Sequence, residues 1–124
     1  MKIKQFIAEH LETVDHLRVL LHLKGTPRTE WDVLDVAAKL YLPPERTAAV
    51  LAQLVIHGLV VASGERPRYR YHPGTPELAD MAETLAEMDR TQPVTLINMI
   101  YAQPADTQAF ADAFKLKKSK ENLT

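Results

Sequence analysis

The chain has 124 residues with 46% hydrophobic and 25% charged residues, which predicts about one domain with a real core rather than a multidomain enzyme. A net charge of −1 excludes a broadly basic nucleic-acid surface, and the absence of cysteine excludes disulfides, thiol nucleophiles and zinc–thiolate sites. No apolar run approaches a membrane span, and the first residues lack the apolar region of a secretion signal, so a cytoplasmic protein is expected.

Residues 3–11 and 14–23 carry apolar side chains at helical spacing (Ile3, Phe6 and Ile7, then Val14, Leu17, Leu20 and Leu21), ended by Gly25 and Pro27. Thr29 opens TEWD, a candidate capping box, ahead of a second helix that carries Trp31, Val33, Leu34, Val36, Ala37 and Leu40 to about Tyr41. Two prolines make the next turn, and Pro44 suits the first turn of a third helix over residues 44–57. Gly58 stops it, in the position that tolerates left-handed backbone.

Residues 59–62, LVVA, and the segment RPRYRY at 66–71 flank SGERP and read as a hairpin. Alternation along a strand would place Arg66, Arg68 and Arg70 on one face and Tyr69 and Tyr71 on the other. A cationic face to meet a polyanion is one use of that pattern; an edge strand protected from edge-to-edge pairing is the other.

After Gly74, Thr75 caps and Pro76 opens a helix over residues 76–90, with Leu78, Met81, Ala82, Leu85 and Met88 on one stripe. Pro93 opens the apolar VTLINMIYA, Pro104 breaks it, and residues 106–116 form a last helix before a basic, flexible tail at 117–124. Charge is uneven. Residues 42–74 set Arg46, Arg66, Arg68 and Arg70 against Glu45 and Glu65, whereas residues 75–92 set five acids against Arg90.

The order helix, helix, turn, helix, glycine, hairpin is that of a winged helix. The expected fold is mostly α (α+β): a winged helix-turn-helix domain over residues 1–74 with a two-stranded wing, followed by extra C-terminal helices over 75–116 for dimerisation or docking. The segment LYLPPERTAAVLAQLVIHGLV, with Leu42 before the turn, Leu51 and Leu54 in the third helix and Gly58-Leu59-Val60 at its exit, resembles the core of bacterial MarR-like and ArsR-like transcriptional regulators. PVTLINMIYAQP and AFADAFKLKK resemble the tails of small bacterial winged-helix proteins.

The resemblance implies a DNA-binding transcriptional regulator in which helix 44–57 is the recognition helix and 64–72 an arginine wing. Arg46, Thr47 and Gln53 on the helix, and Arg66, Arg68 and Arg70 on the wing, are then the expected contacts to double-stranded DNA. The sequence departs from that pattern where Ala48, Ala49 and Ala52 occupy outward positions that offer no hydrogen bond to a base edge. A winged-helix protein–protein interaction module that has lost DNA binding is the alternative. The apolar stripe predicts a homodimer through Leu78, Met81, Leu85, Met88, Ile97 and Ile100.

No catalytic site, cofactor or metal is expected. His10, His16 and His22 recur every six residues, which does not align ligands on one helix face, and there is no HExxH. His57 and His72 flank the hairpin, a pair whose meeting would make a contact sensitive to pH. Asp32 with Asp35, and Glu83 with Glu87, read as solvated helix surface.

Overall fold

The computed structural model describes residues 3–102. Along the chain run α1 (Ile3–His10), α2 (Val14–Gly25), α3 (Val33–Leu40), α4 (Pro44–Ile56), β1 (Val60–Ser63), β2 (Arg68–Tyr71), α5 (Pro76–Thr91) and α6 (Pro93–Tyr101). The expected helix at 106–116 and the basic tail lie outside the described residues. This is the expected helix-turn-helix, formed by α3 and α4, followed by its hairpin.

Local chemistry explains most of the boundaries. Thr13 caps α2 and Thr75 caps α5, each hydroxyl accepting from the backbone three residues on (His16 N at 3.3 Å, Leu78 N at 3.1 Å). Pro44, Pro76 and Pro93 stand in first turns, where a missing donor costs nothing. The end of α4 is a Schellman turn: Gly58 N donates to Val55 O at 3.0 Å and Leu59 N to Leu54 O at 3.0 Å, with Gly58 at φ 79°.

The start of α3 differs from expectation. Asp32, not Thr29, is the N-cap, its carboxylate accepting from Asp35 N at 2.8 Å. Trp31 is held in extended backbone by a reciprocal pair of bonds to Tyr69, at 2.8 and 2.7 Å, so the helix cannot begin before it. The indole also donates to Thr26 Oγ1 at 2.9 Å and stands edge-on to His22, with ring centroids 4.5 Å apart.

A single apolar core joins the helix-turn-helix to the C-terminal helices. Leu20, Leu23, Val36, Leu51 and Leu54 fill the junction of α2, α3 and α4, while Phe6, Ile7 and Leu11 of the N-terminal arm are buried with Leu85, Leu96 and Ile100. The helices α5 and α6 pack on each other and on α1. Leu85 and Ile100, expected at a subunit interface, are 0% and 1% exposed within the chain itself, because α1 supplies the cover that the stripe requires. Leu78, Met81 and Met88 are partly buried against the same core.

Three histidines gather where α4 meets the N-terminal arm. His16 is buried, its Nδ1 2.8 Å from Thr13 Oγ1 and its Nε2 hydrogen-bonded to Gln53 Oε1. His57 meets His10 edge-on at 4.8 Å, not His72, and among the described residues neither ring nitrogen of His10 has a hydrogen-bond partner, the Glu9 carboxylate standing 3.8 Å from Nε2. Burial holds His10 below its ordinary 6.5, with the neighbouring His57 adding and Glu9 opposing. Burial lowers His57 too, with His16 adding and Glu12 and Glu9 opposing, and His22 is lowered by burial and by Lys39. Among the described residues no cluster could hold a metal ion.

Two measurements test this packing. Leu85→Ala should cost about 2–5 kcal/mol in urea denaturation, the range for removing a fully buried leucine; an unchanged midpoint would show Leu85 to be uncovered. Because the unfolded chain takes up protons near 6.5 and the folded histidines only at lower pH, their stabilising contribution is complete above 6.5 and declines as pH falls below it. The Tm should therefore drop between about pH 7.5 and about pH 5.5, and His57→Gln should flatten the drop. An equal wild-type Tm at both values would contradict the half-buried neutral pair.

Candidate nucleic-acid interface

The outward side of α4 follows from which side is buried. Val50, Leu51 and Leu54 face α2 and α3, which leaves Glu45, Ala49, Ala52 and Ile56 exposed along one stripe, Ile56 at 79%. Arg46 is exposed as well, 60% at its side chain, and Nη1 lies 3.4 Å from Asp15 Oδ2 of α2. Asp15 also meets Arg18 at 4.0 Å, and Arg18 donates to Leu40 O at the end of α3 at 2.6 Å. This chain of contacts joins α2, the end of α3 and the start of α4.

Two of the three helix residues expected to face DNA are turned inward. Thr47 is 0% exposed and its hydroxyl donates to Pro43 O at 3.0 Å, tightening the first turn of α4 instead of reaching a base. Gln53 is half-buried and engaged by His16. Periodicity marked both as polar positions beside the apolar stripe; the pairing of Gln53 depends on a histidine 37 residues away and left no local trace. Ile56, by contrast, lay on the outward face without being counted there.

On the wing, Val60 pairs with Tyr71, Val61 with Arg70, Ala62 with Tyr69 and Ser63 with Arg68, and residues 64–67 form the turn, with Gly64 at φ 90°. Arg68 and Arg70 share the outer side, exposed and half-exposed, while Tyr69 is 9% exposed against the core. Arg66 lies in the turn, not on the strand, so the alternating arginine face has two strand members and one exposed tip residue. Trp31 pairs with the other edge of β2, and so the wing is wider at its base than the two expected strands.

The inner side is fixed by Tyr71. Burial, with Glu83 nearby, pushes its hydroxyl up to about 12, and Lys24 stands 6.0 Å from its ring centroid while reaching Glu83 at 3.0 Å. Within the described residues no carboxylate pairs with Arg66, Arg68 or Arg70, in contrast to Arg18, Arg46 and Arg90. Glu65 stands beside Arg66 in the turn, and Glu30 accepts from Ser63, the strand partner of Arg68, at 3.3 Å.

No protein-family model and no curated protein sequence matches the chain. Solved structures do. A mutant of Staphylococcus aureus MepR superposes with a TM-score of 0.56 at 16% identity, over 94% of this chain and 86% of that one. A second S. aureus MepR mutant, bound to an oligodeoxyribonucleotide, gives 0.54 at 17%, over 94% and 88%. The multiple antibiotic-resistance repressor MarR of Listeria monocytogenes gives 0.53 at 17%, over 98% and 80%. With the helix-turn-helix, the Schellman exit and the paired wing in place, this chain has the winged-helix fold of the MarR-like regulators.

Proposed function

We propose that the protein is a cytoplasmic transcriptional regulator that binds double-stranded DNA chiefly through the phosphate backbone, with the wing as its main cationic contact. The observation that carries this is the set of arginines, Arg66, Arg68 and Arg70, unpaired among the described residues, on the projecting hairpin of a winged helix whose fold neighbours include one bound to DNA. Phosphate contacts supply affinity and register without reading sequence, which suits a helix with few base-reading groups. Arg46 joins them at small cost, because an exposed ion pair such as that with Asp15 contributes only about 0–1 kcal/mol.

A second reading rests on α4. With Thr47 and Gln53 engaged inward and Ala49, Ala52 and Ile56 outward, the same face suits a protein partner, and the fold would then serve as an interaction module. DNA affinity decides between them.

The protein would act as a homodimer. The surface proposed for the second copy includes Leu78, Met81, Met88 and Ile97, together with an apolar groove of about 600 Å³ between α1 and α6, lined by Ile7, Ala8, Met99 and Ala102. Neighbouring Val94 and Tyr101 are 71% and 72% exposed.

Replacing Arg68 and Arg70 by alanine should weaken binding to mixed genomic duplexes uniformly and lower the slope of log affinity against log salt by about one unit per contact. Wild-type protein without DNA affinity at about 50 mM salt would remove the regulator reading in favour of the protein-partner one. In sedimentation at micromolar concentration the wild type should run as a dimer and Ile97→Asp as a folded monomer; a monomeric wild type would defeat the assembly.

A further inference from the structure

The exposed stripe of α4 has a composition that a major groove can test. Ala49, Ala52 and Ile56 follow one another at spacings of three and four, so they project along one line of the helix surface. Ile56 is a large hydrophobe at 79% exposure, and the polar residues that could have shielded the stripe, Thr47 and Gln53, are bonded to Pro43 and His16 instead. Hydrated apolar surface of this kind gains free energy when it is covered. What covers it must also meet the arginines of the adjoining wing, which no carboxylate pairs among the described residues, and that charge complementarity selects a polyanion over an apolar protein helix.

Duplex DNA offers one apolar group on the floor of the major groove, the C5 methyl of thymine. Guanine and cytosine edges, and adenine N7 and N6 and thymine O4 likewise, would lose water against alanine and isoleucine and gain no partner, at a cost; only an A·T pair sets a methyl against that cost. A·T pairs carry the methyl that packs on such side chains. Only Glu45, at the start of the stripe, carries a polar group, and as an acceptor it can meet a base amino group but no guanine acceptor.

Resting on the DNA-binding reading above, we infer that α4 recognises thymine methyl groups through Ala49, Ala52 and Ile56, so the protein prefers A·T-rich duplexes and discriminates by methyl contact rather than by hydrogen bonding. Arginines set affinity and register; the methyl stripe sets preference. The specificity is therefore of modest size and concentrated at thymines.

The test uses full-length protein and one pool of A·T-rich duplexes made twice, once with thymidine and once with deoxyuridine, which lacks only the 5-methyl. At about 50 mM salt, where phosphate contacts are strongest, the thymidine pool should bind more tightly, by about fourfold for each methyl contact, the worth of one buried methylene. Ile56→Ser, a change at an exposed position that leaves the core intact, should narrow the ratio. Arg68→Ala should weaken both pools equally and leave the ratio unchanged. Equal affinity of the wild type for the two pools would overturn methyl recognition while leaving DNA binding standing. A preference that persists undiminished in Ile56→Ser with Ala52→Ser would assign it to duplex shape and overturn the inference as well. Binding to neither pool would remove the DNA-binding reading itself, and this inference with it.

Discussion

The left-handed turn at Gly58 decides how α4 and the wing are presented to anything that approaches them. Its φ of 79° lets Leu59 N close on Leu54 O, so the chain leaves α4 in a fixed direction with Leu59 fully buried beneath it. The far end of the hairpin returns to the same place: His72 N donates to Leu59 O at 3.0 Å and Gly74 N to Gly58 O at 2.8 Å. Both ends of the wing are thus tied within three residues of the end of α4. A side chain with a Cβ at position 58 would strain this conformation whatever space it found, and the positions of Arg68 and Arg70 relative to the helix would shift with it.

Around that fixed exit, the polar groups of α4 divide into two kinds. Thr47 and Gln53 are buried or half-buried and bonded, so releasing them would strand an acceptor or a donor away from water, at about 1–3 kcal/mol for each group. Arg46 is exposed and held only by a surface contact with Asp15, which releases it at little cost. Thr47 therefore tightens the first turn of α4 and Gln53 ties the helix to α2, whereas the arginine is free to exchange one anionic partner for another. What remains outward beyond Glu45 is apolar, and the helix has few means of reading a hydrogen-bonding edge.

How much of this was legible in the sequence depended on the range of the interaction. Gly58, Thr75, Pro44 and Pro76 act within one turn of where they stand, and each marks its helix end as its local chemistry dictates. Trp31 and Thr29 misled, because the pairing of Trp31 with Tyr69 spans 38 positions and overrides a capping pattern that was locally sound. Arg66 fell outside the strand because the turn takes residues 64–67, a length that alternation alone does not fix. His57 met His10 rather than His72, and Leu85 found its cover in α1, for the same reason: contacts between distant elements leave no period in the chain. The arginines were legible as a pattern; that no carboxylate pairs with them among the described residues was not.

Charge is arranged so that few orientations toward a polyanion are favourable. The net charge is −1, yet the wing sets Arg66, Arg68 and Arg70 against Glu65, while α5 carries Glu77, Asp80, Glu83, Glu87 and Asp89 with Arg90 as its one cation and Lys24 of α2 reaching Glu83. Interactions between exposed charges fade over roughly 8 Å at physiological salt, so each region acts on what lies directly before it and the small net charge is irrelevant at contact. A duplex arriving at the wing is attracted and one arriving at α5 is repelled. On the DNA-binding reading, this asymmetry selects the approach in which α4 enters the groove with the hairpin beside it, before any base is touched. A chain with scattered cations would have gained affinity in every orientation and lost that selection. On that reading, concentrating the arginines on one hairpin brings to the duplex a helix whose own cation, Arg46, is offset by Glu45 and Asp15.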